Sequence, residues 1–84
     1  MAKRGKRPQN IVGPQVRKLR DGQGLTQEMF AARCSVLGLE LSRATLSKIE
    51  AQIRCVTDIE LLYLAQALKV EIKALVPIRP VGNG

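Results

Sequence analysis

The chain has 84 residues, with 14 Lys and Arg against 7 Asp and Glu, which gives a formal net charge of +7. Its length allows one small domain, which has little room to enclose a substrate. The chain contains no His and only two Cys, so the usual four-ligand zinc site and a Cys–His nucleophile are excluded. We therefore expect no enzyme activity, no metal and no other cofactor.

Hydropathy gives no sign of a membrane or export segment. The longest mostly apolar stretch runs from Ile59 to Leu68, far short of the roughly 20 residues that a membrane-spanning helix needs. No apolar run follows the basic N-terminus, as it would in a secretory signal. We expect a cytoplasmic protein with no membrane partner.

The excess positive charge is concentrated at the N-terminal end. Residues 1–20 carry seven cations and no acid, whereas the other 64 residues carry seven charges of each sign. Residues 1–10 show no apolar periodicity and are predicted to form a basic flexible arm. Its cations are Lys3, Arg4, Lys6 and Arg7. Such an arm can bind a polyanion or only solubilise the chain end, and both readings stay open.

Helical periodicity fills residues 11–76, whereas residues 77–84 hold two Pro and two Gly and are predicted to be a C-terminal tail. The first helix is predicted over residues 11–22. Asn10 is its expected N-cap, and Pro14 falls in the first turn, where a missing N–H is tolerated.

The next two helices are predicted from their caps. Thr26 caps the second helix, which ends at Gly38. Ser42 caps the third helix, which runs to about Ala51. The side chains expected to face the core are Phe30, Ala31, Cys34 and Leu37 in the second helix and Leu46 and Ile49 in the third.

A capping box opens the fourth helix, because Thr57 and Glu60 can satisfy each other's backbone N–H groups. A short fifth helix is predicted over residues 71–76. The side chains expected to face the core are Ile59, Leu61, Leu62, Leu64, Ala65 and Leu68 in the fourth helix and Ile72, Leu75 and Val76 in the fifth. Together these elements predict a compact all-α domain of five helices.

Two stretches carry a family pattern, GLTQEMFA at residues 24–31 and SRATLSKIE at residues 42–50. With them, the chain from about Ile11 to Val76 resembles the phage repressor and Cro-type, or xenobiotic-response-element, helix-turn-helix DNA-binding family. The resemblance implies a repressor-like fold in which helices 2 and 3 form the helix-turn-helix.

The sequence departs from that family pattern in three places. Helix 2 with its turn is about five residues longer than usual, and the extra residues, around Ser35 to Glu40, are expected to add a turn to helix 2. Gln52 and Lys69 stand where the family usually has Gly. Lys69 is therefore expected to have a positive φ, which is uncommon outside Gly and Asn.

The resemblance implies that helix 3 reads base edges in the major groove. A helix that presents small and polar residues between two apolar anchors fits that groove, and Arg and Lys can donate to guanine O6 and N7. The implied base contacts are Arg43, Ala44, Thr45, Ser47 and Lys48. The implied phosphate contacts are Thr26, Gln27, Ser42, Gln52 and Arg54. The resemblance also implies a structural ion pair between Arg20 and Glu50.

We expect a sequence-specific, double-stranded DNA-binding transcriptional regulator, a repressor or controller, with no small-molecule ligand. Such a protein would be associated with the nucleoid. Such domains usually act as homodimers on palindromic operators, and the candidate dimer contacts are Leu75, Val76 and Ile78. An alternative is a helix-turn-helix protein-interaction module, such as an antitoxin or a bridging co-activator, since fold does not fix function. A third is a small basic RNA-binding protein, against which the near-absence of aromatic residues argues.

Overall fold

A computed structural model describes residues 7–77 of the chain. Within that range the chain forms four α-helices, followed by one short 3-10 helix, and no strand. The helices are α1 (Gly13–Gly22), α2 (Gln27–Leu37), α3 (Arg43–Glu50) and α4 (Asp58–Leu68), and the 3-10 helix is Ile72–Ala74. No helix in the described range is both long and apolar enough to cross a membrane. The all-α class is confirmed, but the predicted count of five helices is wrong.

Side-chain caps set the start of three helices, as the sequence predicts. The hydroxyl groups of Thr26, Ser42 and Thr57 each accept a hydrogen bond from the backbone N–H of the third residue of α2, α3 and α4, respectively. At Thr57 the carboxylate of Glu60 also accepts the cap's own N–H at 3.0 Å, which completes the predicted capping box.

Left-handed residues end α2 and α4. Gly38 has φ of 114° and Lys69 has φ of 59°, so the prediction for Lys69 is confirmed. The residues around Ser35 to Glu40 are divided between two elements, because α2 continues to Leu37 and the chain then turns from Gly38 toward Ser42. The extra residues were expected to lengthen helix 2 alone, but they are shared between α2 and the turn that follows it.

Helix α1 begins two residues later than predicted, yet Asn10 still caps it. Its Oδ1 accepts the backbone N–H groups of Val12 at 3.1 Å and Gly13 at 2.7 Å. Pro14 lies in the first turn, as expected. The cap therefore acts across a bend at Ile11 and Val12 rather than from the residue next to the helix.

The predicted fifth helix over residues 71–76 is replaced by the 3-10 helix. Pro77 disfavours helical geometry at Val76 and cannot donate a backbone N–H, so the segment has no room for a full α-helix. Leu75 is fully buried and Val76 partly buried, but Ile72 is 39% exposed, which contradicts its predicted inward position.

A single core fills the space among the helices. Its largest fully buried side chains are Phe30, Leu46, Ile49, Leu64, Leu68, Leu75, Val16 and Cys34. Burial raises the pKa of the Cys34 thiol to about 11, whereas the chain's other thiol, Cys55, is exposed in the loop before α4. All four α-helices thus contribute side chains to the core, and Leu75 joins it from the residue after the 3-10 helix.

Besides Ile72, three more side chains predicted to face this core lie outward. Ile59 and Leu62 of α4 are 64% and 47% exposed, and Leu37 at the end of α2 is 41% exposed. Helix α4 is apolar nearly all round, so its periodicity did not select one face. The buried side of α4 includes Ala67, which the sequence pattern did not single out.

Helices α1 and α3 approach each other at backbone distance. A Cβ placed on Gly13 would overlap the carbonyl oxygen of Ile49 and lie 3.0 Å from that of Glu50. Only glycine fits there without moving the end of α3, because the obstructing atoms are backbone rather than the tip of a flexible side chain. This contact fixes the end of α3 against α1.

We expect Gly13→Ala to lower the free energy of unfolding by about 1–3 kcal/mol, because the new methyl group overpacks this contact. Gly22→Ala is the matched control, since nothing lies within 4 Å of a Cβ at that helical position. It should be neutral or stabilising by up to about 1 kcal/mol. Urea unfolding measures both, and equal stabilities of the two variants would contradict the close approach.

Candidate nucleic-acid interface

Helix α3 presents one polar face to solvent above two buried anchors. Leu46 and Ile49 are fully buried, while the exposed side chains of the helix are Arg43, Ala44, Ser47 and Lys48. Thr45 is half-buried. Four of the five side chains predicted to contact bases therefore share one accessible surface, which we call the α3 face.

The Ser42 hydroxyl orders the start of this face. Its Oγ accepts the backbone N–H of Thr45 at 3.1 Å and donates to Thr45 Oγ1 at 3.0 Å. Thr45 is thereby directed to the cap rather than outward. Ser42 and Thr26 are both exposed at helix N-termini, where backbone N–H groups favour an anion.

A buried ion pair lies beneath the C-terminal end of α3. Arg20 of α1 donates from Nε to Glu50 Oε2 at 2.7 Å and from Nη2 to Oε1 at 3.1 Å. A third bond runs from Arg20 Nη1 to the carbonyl of Leu25 at 2.6 Å. The side chains of Arg20 and Glu50 are 8% and 5% exposed. The hydrogen bond to Glu50 raises the pKa of Arg20, so the guanidinium stays charged.

Gln27, the first residue of α2, belongs to the same network. Its Nε2 donates to Glu50 Oε1 at 3.0 Å. A carboxylate only accepts hydrogen bonds, so the amide nitrogen must face Glu50 and the orientation of the amide is defined. One N–H of this predicted phosphate contact is thus used inside the domain.

Two open clefts flank the α3 face, and Gln27 lines both. One, of about 360 Å³, also includes Arg17, Ser47 and Ala51. The other, of about 580 Å³, also includes Thr26 and Arg43. The N-terminal ends of α2 and α3 and one side of α1 therefore border a polar region made of two clefts that share Gln27.

Arg17 is a cation of this region that sequence reasoning did not assign to the site. Its side chain is 68% exposed, and its acidic neighbour Asp21, 61% exposed, lies 3.9 Å away. An exposed pair at this distance contributes little and leaves the Arg17 charge accessible. The position three residues before Arg20 is the signal that could have found it, since residues i and i+3 share one side of a helix.

The predicted phosphate contacts Gln52 and Arg54 have partners within the fold. Gln52 donates from Nε2 to the Asn10 carbonyl at 2.9 Å. Arg54 forms a two-pronged pair with Glu60, at 3.1 and 3.0 Å. Hydrogen bonding between the two raises the pKa of Arg54 and holds the pKa of Glu60 below its usual value. The Arg54 charge is therefore balanced locally.

The cations predicted for the N-terminal arm fall mostly beyond the described range. Lys3, Arg4 and Lys6 lie outside the described residues, whereas Arg7 is exposed. Arg7 lines an open cleft of about 640 Å³ together with Gln52 and Arg54. Within residues 7–77, no group of His, Cys, Asp or Glu side chains could hold a metal ion.

Comparison with known proteins identifies the same elements. A family model described as helix-turn-helix matches residues 16–75, from α1 to the end of the 3-10 helix. Among solved structures, the chain is similar to the restriction-modification controller protein C.AhdI from Aeromonas hydrophila. The two share 33% identity with a TM-score of 0.68, over 76% of this chain and 89% of that one. No curated protein sequence matches the chain.

We expect Glu50→Ala to lower the free energy of unfolding by about 3–5 kcal/mol, because it leaves the Arg20 charge buried without its partner. Asp21→Ala is the control, since Asp21 also approaches Arg20, at 3.3 Å, but is 61% exposed. The control should lose no more than about 1 kcal/mol. Chemical denaturation compares them, and wild-type stability in Glu50→Ala would exclude a structural role for the pair.

Proposed function

The chain belongs to the helix-turn-helix family of DNA-binding transcription regulators of the Cro/C1 (xenobiotic-response-element) type, and on that premise we propose that it is a sequence-specific repressor or controller. It reads double-stranded DNA by placing α3 in the major groove. The observation that carries the proposal is the α3 face, whose cations and small side chains stand above Leu46 and Ile49.

The side chains of the α3 face suit base edges. Arg43 and Lys48 can donate to guanine O6 and N7, Ser47 can donate or accept, and Ala44 can contact a thymine methyl group. Thr45 is half-buried and bonded to Ser42. It contributes to DNA binding either by fixing the start of α3 or by contacting a base at the edge of the α3 face. Each well-formed base contact discriminates by about 1–3 kcal/mol.

Phosphate contacts position the domain on the duplex. Thr26, Gln27 and Ser42 lie at the N-termini of α2 and α3, where backbone N–H groups favour the binding of an anion such as phosphate. Gln52 and Arg54 have more N–H donors than the described contacts use, so they can also bind phosphate. We add Arg17 to this set because it borders the same cleft as Ser47.

The proposal includes a homodimer on a palindromic operator, because such domains usually read half-sites about one helical turn apart. Leu75 is fully buried and so is not available as the dimer contact expected from the sequence, and Ile78 lies outside the described residues. The exposed pair Ile59 and Leu62, three residues apart on α4, supports a contact through α4 instead.

The same apolar pair supports the second candidate function, a module that binds a different protein. Antitoxins and bridging co-activators would use such a surface without reading DNA sequence. Selection of bound duplexes from a random pool separates the two candidates. Enrichment of a palindromic motif supports the regulator, and salt-sensitive binding without any motif supports the module.

On the enriched duplex, we expect Arg43→Ala and Lys48→Ala each to reduce discrimination at particular base pairs by about 1–3 kcal/mol. Lys73→Ala is the matched control, because it removes one exposed cation from the 3-10 helix, away from α3. Competition binding with single-base-substituted duplexes measures the loss. Uniform weakening on all duplexes would make both residues phosphate contacts.

We also expect Ile59→Ser/Leu62→Ser to raise the dimer dissociation constant at least about tenfold, since two exposed apolar side chains would leave the proposed interface. Ile53→Ser is the control, because Ile53 is equally exposed at 64% but lies in the loop after α3. Sedimentation equilibrium measures the constant. An unchanged value in the double variant would remove α4 from the interface.

A further inference from the structure

Glu28 places a carboxylate among the groups that we assign to DNA contact. It is the second residue of α2, and its side chain is exposed. It lines the cleft of about 580 Å³ together with Thr26, Gln27 and Arg43. The first two of these are proposed phosphate contacts, and the third is a proposed base contact. A negative charge therefore lies where the duplex would approach the domain.

Glu28 differs from the acids whose charge is balanced inside the fold. Within residues 7–77, the acids with a Lys or Arg nitrogen no more than 4.0 Å from the carboxylate are Asp21, Glu50, Glu60 and Glu71. No basic side chain of that range lies so close to Glu28. The same is true of Glu40 and Asp58, but neither of them lines a cleft beside the α3 face. Glu28 is therefore the acid whose free charge faces the proposed DNA site.

The first turn of α2 explains why an acid is stable there but leaves the cleft repulsive to an anion. The backbone N–H groups at a helix N-terminus are equivalent to roughly half a positive charge, so the full negative charge of Glu28 outweighs them. The cleft also holds Arg20, whose charge is balanced by Glu50. Arg43 is the remaining cation, and in the proposed complex it donates to a base rather than to phosphate. A phosphate at the start of α2 therefore meets the uncompensated charge of Glu28.

We propose that Glu28 repels DNA phosphate at the N-terminus of α2 and thereby limits the affinity of the protein for every duplex, whatever its sequence. The repulsion acts on the sugar-phosphate backbone, which carries no sequence information, so the base preferences of the α3 face are unchanged. Non-specific binding is almost wholly electrostatic, so duplexes that also make base contacts are the ones that stay bound at moderate salt. The inference rests on the proposed DNA binding and adds a repulsive residue to it.

The expected size of the effect follows from Coulomb's law. The repulsion of two like unit charges 4 Å apart in bulk water corresponds to about a fivefold change in a binding constant, and near a protein surface the change is larger. A carboxylate and a phosphate that repel each other stay further apart than this, which reduces the effect. We therefore expect Glu28 to lower the affinity by about threefold to tenfold. Salt screens exposed charges, so the effect must shrink as the salt concentration rises.

The test removes the charge of Glu28 but keeps the size of its side chain, in Glu28→Gln. Glu71→Gln is the matched control, because it makes the same change of net charge at an exposed residue beside the 3-10 helix. Binding to a labelled random-sequence duplex and to a selected duplex is measured by fluorescence anisotropy as a function of salt. Urea unfolding establishes that each variant is folded, since the loss of an acid from the first turn of a helix costs little stability.

Glu28→Gln should bind both duplexes about threefold to tenfold more tightly than the wild type at low salt. The gain should decrease between about 50 and 200 mM salt, because the repulsion is increasingly screened. Glu71→Gln should gain less than about twofold, since its charge is far from α3 and is screened at that distance. The gain should persist when Glu28→Gln is combined with Arg43→Ala, because Glu28 acts on phosphate and not through Arg43.

An unchanged affinity of Glu28→Gln would overturn the inference, and so would an equal gain in Glu71→Gln, which would reflect net charge alone. A gain that disappears in the Arg43→Ala background, or a lost preference at one base pair, would also overturn it. If neither the wild type nor Glu28→Gln binds any duplex at low salt, the proposed function fails and this inference fails with it. If Glu28→Gln binds random duplexes more tightly but selection enriches no motif, sequence specificity fails alone.

Discussion

The buried ion pair between Arg20 and Glu50 fixes the position of the α3 face. Helix α3 has only eight residues and buries only two apolar side chains, Leu46 and Ile49, which is too little to orient it alone. Glu50 is the last residue of α3 and holds that end to α1 through Arg20 and to α2 through Gln27. Desolvation of such a pair is costly, and the surrounding hydrogen bonds offset that penalty.

The basic side chains behind the net charge of +7 have different roles, because some are bonded inside the fold and others face solvent. Arg20 and Arg54 are paired with carboxylates inside the fold, and Arg33 donates to the Ala67 carbonyl at the C-terminal end of α4. These guanidinium groups connect elements through fixed, planar donors, as arginine does better than lysine. The charge that faces outward near α3 comes from Arg17, Arg43 and Lys48. Counting charges therefore indicates a polyanionic partner but does not locate its site.

Local chemistry made much of the fold predictable from the sequence. The hydroxyl caps at Thr26, Ser42 and Thr57 and the stop at Gly38 depend on a few neighbouring residues, so the sequence contains them directly. The left-handed Lys69 followed from a family position that usually holds glycine. The same local rules gave the exposed face of α3, because Leu46 and Ile49 are its only large apolar residues.

What could not be predicted depends on tertiary packing. The inward side of α4 is set by packing against α2, the 3-10 helix and α1, since α4 itself is apolar nearly all round. The prediction of a fifth α-helix was wrong because Pro77 disfavours helical geometry at Val76, in a segment whose apolar pattern is otherwise helical. Arg17 and Ser47 line the same cleft, although they lie on different helices and are 30 residues apart in sequence, so the sequence alone does not bring them together. The inward amides of Gln27 and Gln52 likewise require partners distant in sequence.

The two thiols differ in exposure, so the reactivity of the buried one reports how often the core opens. The thiolate is the reactive form of cysteine, and with a pKa of about 11 Cys34 is ionised in roughly one molecule in ten thousand at neutral pH. Cys34 is also fully buried, so a reagent reaches it only when the core opens. Cys55 is exposed and reacts from the folded state. Oxidants will therefore modify Cys55, in the loop between α3 and α4, first. Slow alkylation of Cys34 follows the population of opened molecules.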